Sequence, residues 1–217
     1  MTGARRALQL GLPWLLLACG SNAPEVPKEL LGGASSCAAA GYPEAGIGTE
    51  PGDVVANACF TGYRAPDRVP PQAAHRETIA FSDYYDPAGT KGVSLILINT
   101  SAIWCSACVA EHGSLPDHAR ELAPQGLVIV STLFQDQHRD PASIEDVERW
   151  IDNFQTNFPM VADPELQLQG YSPPALAPLN MLVDPRSMKI LRKYVGDQGS
   201  AMWPYIQSEL TARSAQP

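Results

Sequence analysis

Cys105 and Cys108 form a C-x-x-C inside the run SLILINTSAIWCSACVAEHGSLP. Two thiols at that spacing can close a disulfide, exchange it with another molecule, or hold half of a metal site. The elements around them decide between these chemistries. From Val93 to Ile98 the sequence is short, β-branched and unalternating, which suits a central strand covered on both faces. Trp104 and Cys105 stand where that strand ends, and Trp104 is placed to pack against the site. From Ser106 the spacing turns helical, and Glu111 and Leu115 continue it to Pro116, where a kink or break is expected. Cys105 therefore caps a helix, whose unpaired N–H groups and dipole favour a thiolate. That makes Cys105 the candidate nucleophile. Cys108, on the same helical face and less accessible, can resolve a mixed disulfide. A zinc site would need a second pair. His112 could supply a third ligand, but no fourth follows, and a helical histidine beside a charged residue reads as solvated surface.

W-C-x-x-C-x-x-E followed by Pro116, after an apolar strand, resembles the active-site signature of TlpA-like thiol-disulfide oxidoreductases, within the redoxin/AhpC-TSA group of the thioredoxin superfamily. Trp104, Cys105, Cys108, Glu111 and Pro116 all match. Ser106 and Ala107 depart from the usual proline-containing dipeptide, which leaves the direction of electron flow open. The resemblance implies protein thiols and disulfides as substrates, a redox donor in the membrane or envelope, and no cofactor. It places Glu111 behind the pair, where partial burial would raise its pKa and let it exchange protons with Cys108; the alternative is a surface carboxylate. It also implies a cis proline lying against the cysteines. Pro178, just before Leu179–Asp184, is the candidate, with Pro173 and Pro174 as lesser ones. A proline there donates no ladder hydrogen bond, so the backbone of Ala177 could pair with a substrate strand.

The amino-terminal stretch has Arg5 and Arg6, then an apolar run from Ala7 to Ala18, the pattern of an export signal. At about 12 residues that run is too short to span a bilayer. Leu16-Leu17-Ala18-Cys19 resembles the bacterial lipobox, in which the cysteine becomes the lipidated first residue; ordinary cleavage after a small residue is the alternative. Residues 1–18 are then a signal peptide, 19–51 a tether and disulfide-stapled lead-in, and 52–217 the thioredoxin-like domain. The implied home is the bacterial envelope, facing the periplasm, with Gly20 leaning towards the outer membrane.

With Cys19 assigned to lipid, Cys37, Cys59, Cys105 and Cys108 remain as an even number in an oxidising compartment. Cys37 and Cys59 then pair by elimination. Such a bridge, closing about 20 residues, would contribute on the order of 3 kcal/mol. The rival is that one of them resolves Cys105.

The chain carries a net charge of −8, and loss of Arg5 and Arg6 leaves 13 basic against 23 acidic side chains, which makes nucleic acid an unsuitable partner. Ser21–Pro51 lacks sustained period, and order is expected from Gly52, with Ile79–Ser82 as a short edge strand. Tyr84-Tyr85 either packs over that edge or lines a site. Gly126 should end the first helix, Leu127–Phe134 supplies a parallel strand, and Ser143 begins a helix with Ile144, Val147, Trp150, Ile151 and Phe154 inward. Arg139, Asp140, Glu145 and Glu148 read as a solvated face, and His138 as a loop residue without metal partners. Phe158–Asp163 forms a short strand, Leu166–Tyr171 one helical turn, Lys189–Val195 the last strand, and Met202–Ala212 a helix packed through Trp203, Ile206 and Leu210. The order β-α-β-α-β-β-α gives an α/β thioredoxin-like fold: a mixed sheet with helices on both faces and an amino-terminal extension. Two readings outside this one remain: an enzyme, the peroxiredoxin, whose T-x-x-C is absent, and, from a different class, a copper or other metal-binding module, which typically uses wider cysteine spacing.

Overall fold

A computed structural model describes residue 37 and residues 39–215. The expected signal peptide, Cys19 and most of the expected tether lie outside the described residues. Eleven elements follow in order: β1 (Cys59–Tyr63), β2 (Glu77–Ala80), β3 (Leu95–Ala102), α1 (Ser106–His112), α2 (Leu115–Leu122), β4 (Leu127–Gln135), α3 (Ile144–Phe154), β5 (Met160–Ala162), β6 (Leu179–Val183), β7 (Ile190–Val195) and α4 (Gly199–Ser214). They build one seven-stranded sheet in the order β2-β1-β5-β4-β3-β6-β7. β3, β4 and β5 run parallel, and the outer pairings are antiparallel, so the sheet is mixed.

β3 is buried along its whole length, as its unalternating sequence requires. Its two faces feed two cores. Leu95 and Leu97 pack with Leu115, Leu122, Ile206 and Leu210 of α2 and α4. Ile96 and Ile98 pack with Val55, Phe81, Tyr84, Leu168 and Tyr171. α3 buries Val147, Trp150 and Ile151 over Leu133 and Met160, with Ile144 and Phe154 partly covered. Helical elements therefore lie on both faces unequally. α2, α3 and α4 share one face, and the other is closed by the short 3-10 turn Phe81–Tyr84 and by extended segments.

Several sequence expectations shift. The helix after Cys108 breaks at Gly113 and Ser114, before Pro116 rather than at it; Pro116 sits in the first turn of α2, where its missing N–H costs nothing. The sheet has seven strands where the expected order held four, and β1 is one that no sequence signal announced; Gly62 lets it approach β5, since a Cβ there would meet Met160 O at 2.3 Å. Packed structure also reaches back before Gly52. Tyr42 is buried, its hydroxyl donating to Val55 O at 2.8 Å and its ring edge-on to Tyr85 at 5.6 Å. Leu166–Tyr171 forms successive i to i+3 turns instead of a helical turn. Gly126, at φ 90°, does end the 3-10 turn after α2; a Cβ there would strike Ser94 Oγ and Gly92 O.

Candidate active site

Strand β3 delivers the cysteine pair just past its carboxyl end, in the interior of the sheet order. Cys105 N–H donates to Ala102 O at 3.2 Å, and Cys105 then caps α1, its Sγ accepting from Cys108 N–H at 3.1 Å. Cys105 and Cys108 are bonded as a disulfide with their Cα atoms 5.2 Å apart. Cys105 is 4% exposed and Cys108 not at all, so an incoming thiolate can reach only the first sulfur. Trp104, Ala107, Phe134, Leu166 and Ala177 surround the pair.

The Ala177–Pro178 bond is cis. Ala177 O comes within 3.4 Å of Cys105 Sγ, a distance at which a reduced thiol could donate to it. The Ala177 N–H, expected to be open to a substrate strand, already donates to Pro174 O at 3.2 Å, so strand pairing there would first have to open that turn. Pro173 and Pro174 shape the same turn but their bonds are not cis.

Strand register builds a polar layer beneath the helix. Asn99 of β3 stands opposite Asn180 of β6 and Ser131 of β4. Asn99 Nδ2 donates to Glu111 Oε2 at 2.7 Å and to Asn180 Oδ1 at 2.9 Å, and Asn180 Nδ2 donates to Glu111 Oε1 at 2.7 Å. Both carboxylate oxygens are thus held by amides. Burial nevertheless dominates and raises the Glu111 pKa to about 7, against the two amides that favour the charged form.

His112 overturns its expected surface role. It is completely buried, with Nδ1 3.2 Å from Cys108 O and Nε2 3.2 Å from Ser131 Oγ. A carbonyl only accepts, so Nδ1 carries the ring proton. Ser131 can then donate to Nε2 or to Asn99 Oδ1 at 2.7 Å, and Ser101, 3.0 Å from that oxygen, serves it in the first case. Burial pushes the His112 pKa down to about 4, so the ring is neutral near pH 7. A histidine so engaged is no free metal ligand. Asn99, Ser101, Ser131 and Asn180 went unread as site residues, and His112 was weighed only as a metal ligand. Their signal was present: polar residues inside strands otherwise apolar, and His112 four residues after Cys108 on one helical face.

Arg139 is exposed, as a solvated face requires, and its guanidinium also lies over the Trp104 ring, 4.0 Å from the centroid. Glu145 and Glu148 both pair with Arg76, and Glu148 also accepts from Tyr63. Cys37 and Cys59, the latter at the start of β1, are bonded to each other, with Cα atoms 5.8 Å apart.

A thioredoxin-like domain with a cysteine pair capping the helix after its buried strand is the class that fold and site define. The chain belongs to the AhpC/TSA family, whose model matches residues 61–170. Among solved structures it is similar to a putative thiol:disulfide interchange protein DsbE from Chlorobium tepidum, at 16% identity and TM-score 0.56, covering 76% of this chain and 97% of that one. A thiol:disulfide interchange protein from a Bacteroides species gives 16% identity and TM-score 0.53, covering 76% and 93%. The thioredoxin domain of a thiol-disulfide oxidoreductase from Bacteroides vulgatus gives 16% and 0.52, covering 74% and 98%. At these identities the likeness is one of fold. No curated protein sequence matches the chain.

Proposed function

We propose that the protein is a thiol-disulfide oxidoreductase acting on exported proteins, working as a disulfide reductase. The observation that carries this reading is the Cys105–Cys108 disulfide at the start of α1, with Cys108 fully buried, Cys105 retaining slight exposure and Ala177 O beside its sulfur. In the reducing direction, Cys105 thiolate attacks one sulfur of a substrate disulfide. A Cys105–substrate bond forms and the other substrate sulfur leaves as a thiolate that takes up a proton. Cys108 then gives its proton to Glu111, one helical turn away, and attacks Cys105 Sγ. The substrate leaves as a dithiol and the pair is oxidised, so a dithiol donor in the envelope must return two electrons. Pro178 shapes the groove in which the substrate lies, and Trp104 closes one side of it. Cys37–Cys59 is structural in this reading, and Cys19 carries a lipid that holds the domain at a membrane of the bacterial envelope.

The reduction potential of the pair, followed through Trp104 fluorescence in dithiothreitol or glutathione buffers, tests the reading. A reductase should lie near about −250 mV or lower, in the region of thioredoxin at about −270 mV. A value near about −120 mV would make it an oxidant that installs disulfides. Consumption of peroxide at the expense of the reduced pair would assign it instead to peroxidase chemistry. Ala102 stands three residues before Cys105, where a T-x-x-C would offer a hydroxyl.

A further inference from the structure

The loop after β4 carries one cation, Arg139, over the Trp104 ring. Trp104 Nε1 donates to Gln135 Oε1 at 3.0 Å, and Phe134 meets the same ring edge-on at 6.4 Å, so the indole is fixed. Ile103 N–H donates to Gln135 O at 2.9 Å, tying the root of the loop to the residue before Trp104. Asp136 turns its carboxylate inward, Oδ1 accepting from His138 N–H at 2.7 Å and Asp140 N–H at 3.0 Å, while its own N–H donates to Asp140 O at 2.9 Å. Arg139, at the tip, has φ 72°, left-handed backbone that a residue with a Cβ adopts at a steric cost. Its guanidinium stacks on Trp104 and, among the described residues, makes no ion pair.

Stacking uses the face of a guanidinium and leaves its edge of N–H donors free for a carboxylate. That edge lies at the ring of Trp104, the residue before Cys105, whose sulfur is the less buried of the pair. On the other flank of Cys105 the surface is apolar, with Leu166, Pro173, Pro174 and Ala177 around a notch and Leu176 53% exposed. The chain as a whole carries −8, so its distant field repels an acidic substrate, and attraction at this spot must act at contact range.

We propose that Arg139, held on Trp104, is a specificity-determining residue that selects polypeptide disulfides with an acidic side chain beside the attacked cysteine. The inference rests on the thiol-disulfide reading above. Its test uses the reduced full chain, disulfide-linked peptide dimers carrying Glu, Gln or Lys next to the cysteine on either side, and bis(2-hydroxyethyl) disulfide as an uncharged reference. Rates should fall in the order Glu, Gln, Lys by about threefold per step, against the direction set by net charge, and converge at high salt. Arg139→Gln should flatten the order and Arg139→Glu should invert it. A damaged fold slows all peptides alike and cannot invert them. Peptide rates without charge preference, or the same order in all three proteins, would overturn the proposal while leaving the oxidoreductase reading intact. Failure of the wild-type chain to react even with the uncharged disulfide would remove that reading, and this inference with it.

Discussion

Glu111 and His112 are neighbours in sequence whose titrations are displaced in opposite directions by the same burial. Glu111, raised from 4.5 to about 7, keeps a proton in the folded protein that the unfolded chain releases, so its contribution to stability is full below about 4.5 and is lost as pH rises through about 7. His112, lowered from 6.5 to about 4, stays neutral in the fold while the unfolded chain takes up a proton, so stability is lost as pH falls from about 6.5 towards 4. The slopes oppose each other between these limits, and above them Glu111 alone remains. Glu111→Gln should therefore flatten the decline in urea midpoint between about pH 6 and 8, although Asp163, raised to about 6, keeps a slope of the same sign below that. Identical declines in variant and wild type would remove the burial account. The same substitution should slow exchange about tenfold or more at pH 7 if Glu111 moves the Cys108 proton, and an unchanged rate would end that role. At this scale the sequence was half legible. The thiols and Glu111 stand in a recognisable spacing, but His112 reads as polar surface unless its place four residues from buried Cys108 is followed round the helix.

Elements were legible where a segment carries its own period and obscure where pairing is distant. β3, β4 and α3 follow from an unalternating apolar run, β-branched content and a capping box at Ser143, all local signals. β1 pairs with β5 some hundred residues later, and its link to β2 lacks a two-residue turn, so neither neighbour is written in CFTGY itself. The polar layer under α1 has the same origin, because Asn99, Ser131 and Asn180 meet only through register. The bridge between Cys37 and Cys59 joins the lead-in to the first residue of β1, where Asn57 reinforces it by donating to Cys37 O and accepting from Ser82 N–H. Replacing both cysteines by serine should lower unfolding free energy by about 3 kcal/mol, measured by urea with the Cys105–Cys108 pair kept oxidised. An unchanged midpoint would show that the bridge does not staple the fold.

For the molecule as a whole, the question is what could hold it at a membrane. Among the described residues no helix is long and apolar enough to cross one. The apolar run before Cys19, about 12 residues, is shorter than the roughly 20 that a spanning helix needs. Electrostatic adhesion fails too, since a chain with 23 acidic side chains against 15 basic is repelled by anionic lipid. The lipid proposed on Cys19 would supply stable attachment, and it makes a sharp experiment possible. In cells that export it, the wild-type chain should sediment with membranes and resist extraction by high salt, because burial of acyl chains is insensitive to screening. Cys19→Ser should move it to the soluble fraction without altering the reduction potential of the Cys105–Cys108 pair. A wild-type chain found wholly soluble would sink the anchor, and a Cys19→Ser chain still held on membranes would point to a protein partner in place of lipid. Where attachment does depend on Cys19, the membrane that holds it also limits which dithiol donor can reach Cys105.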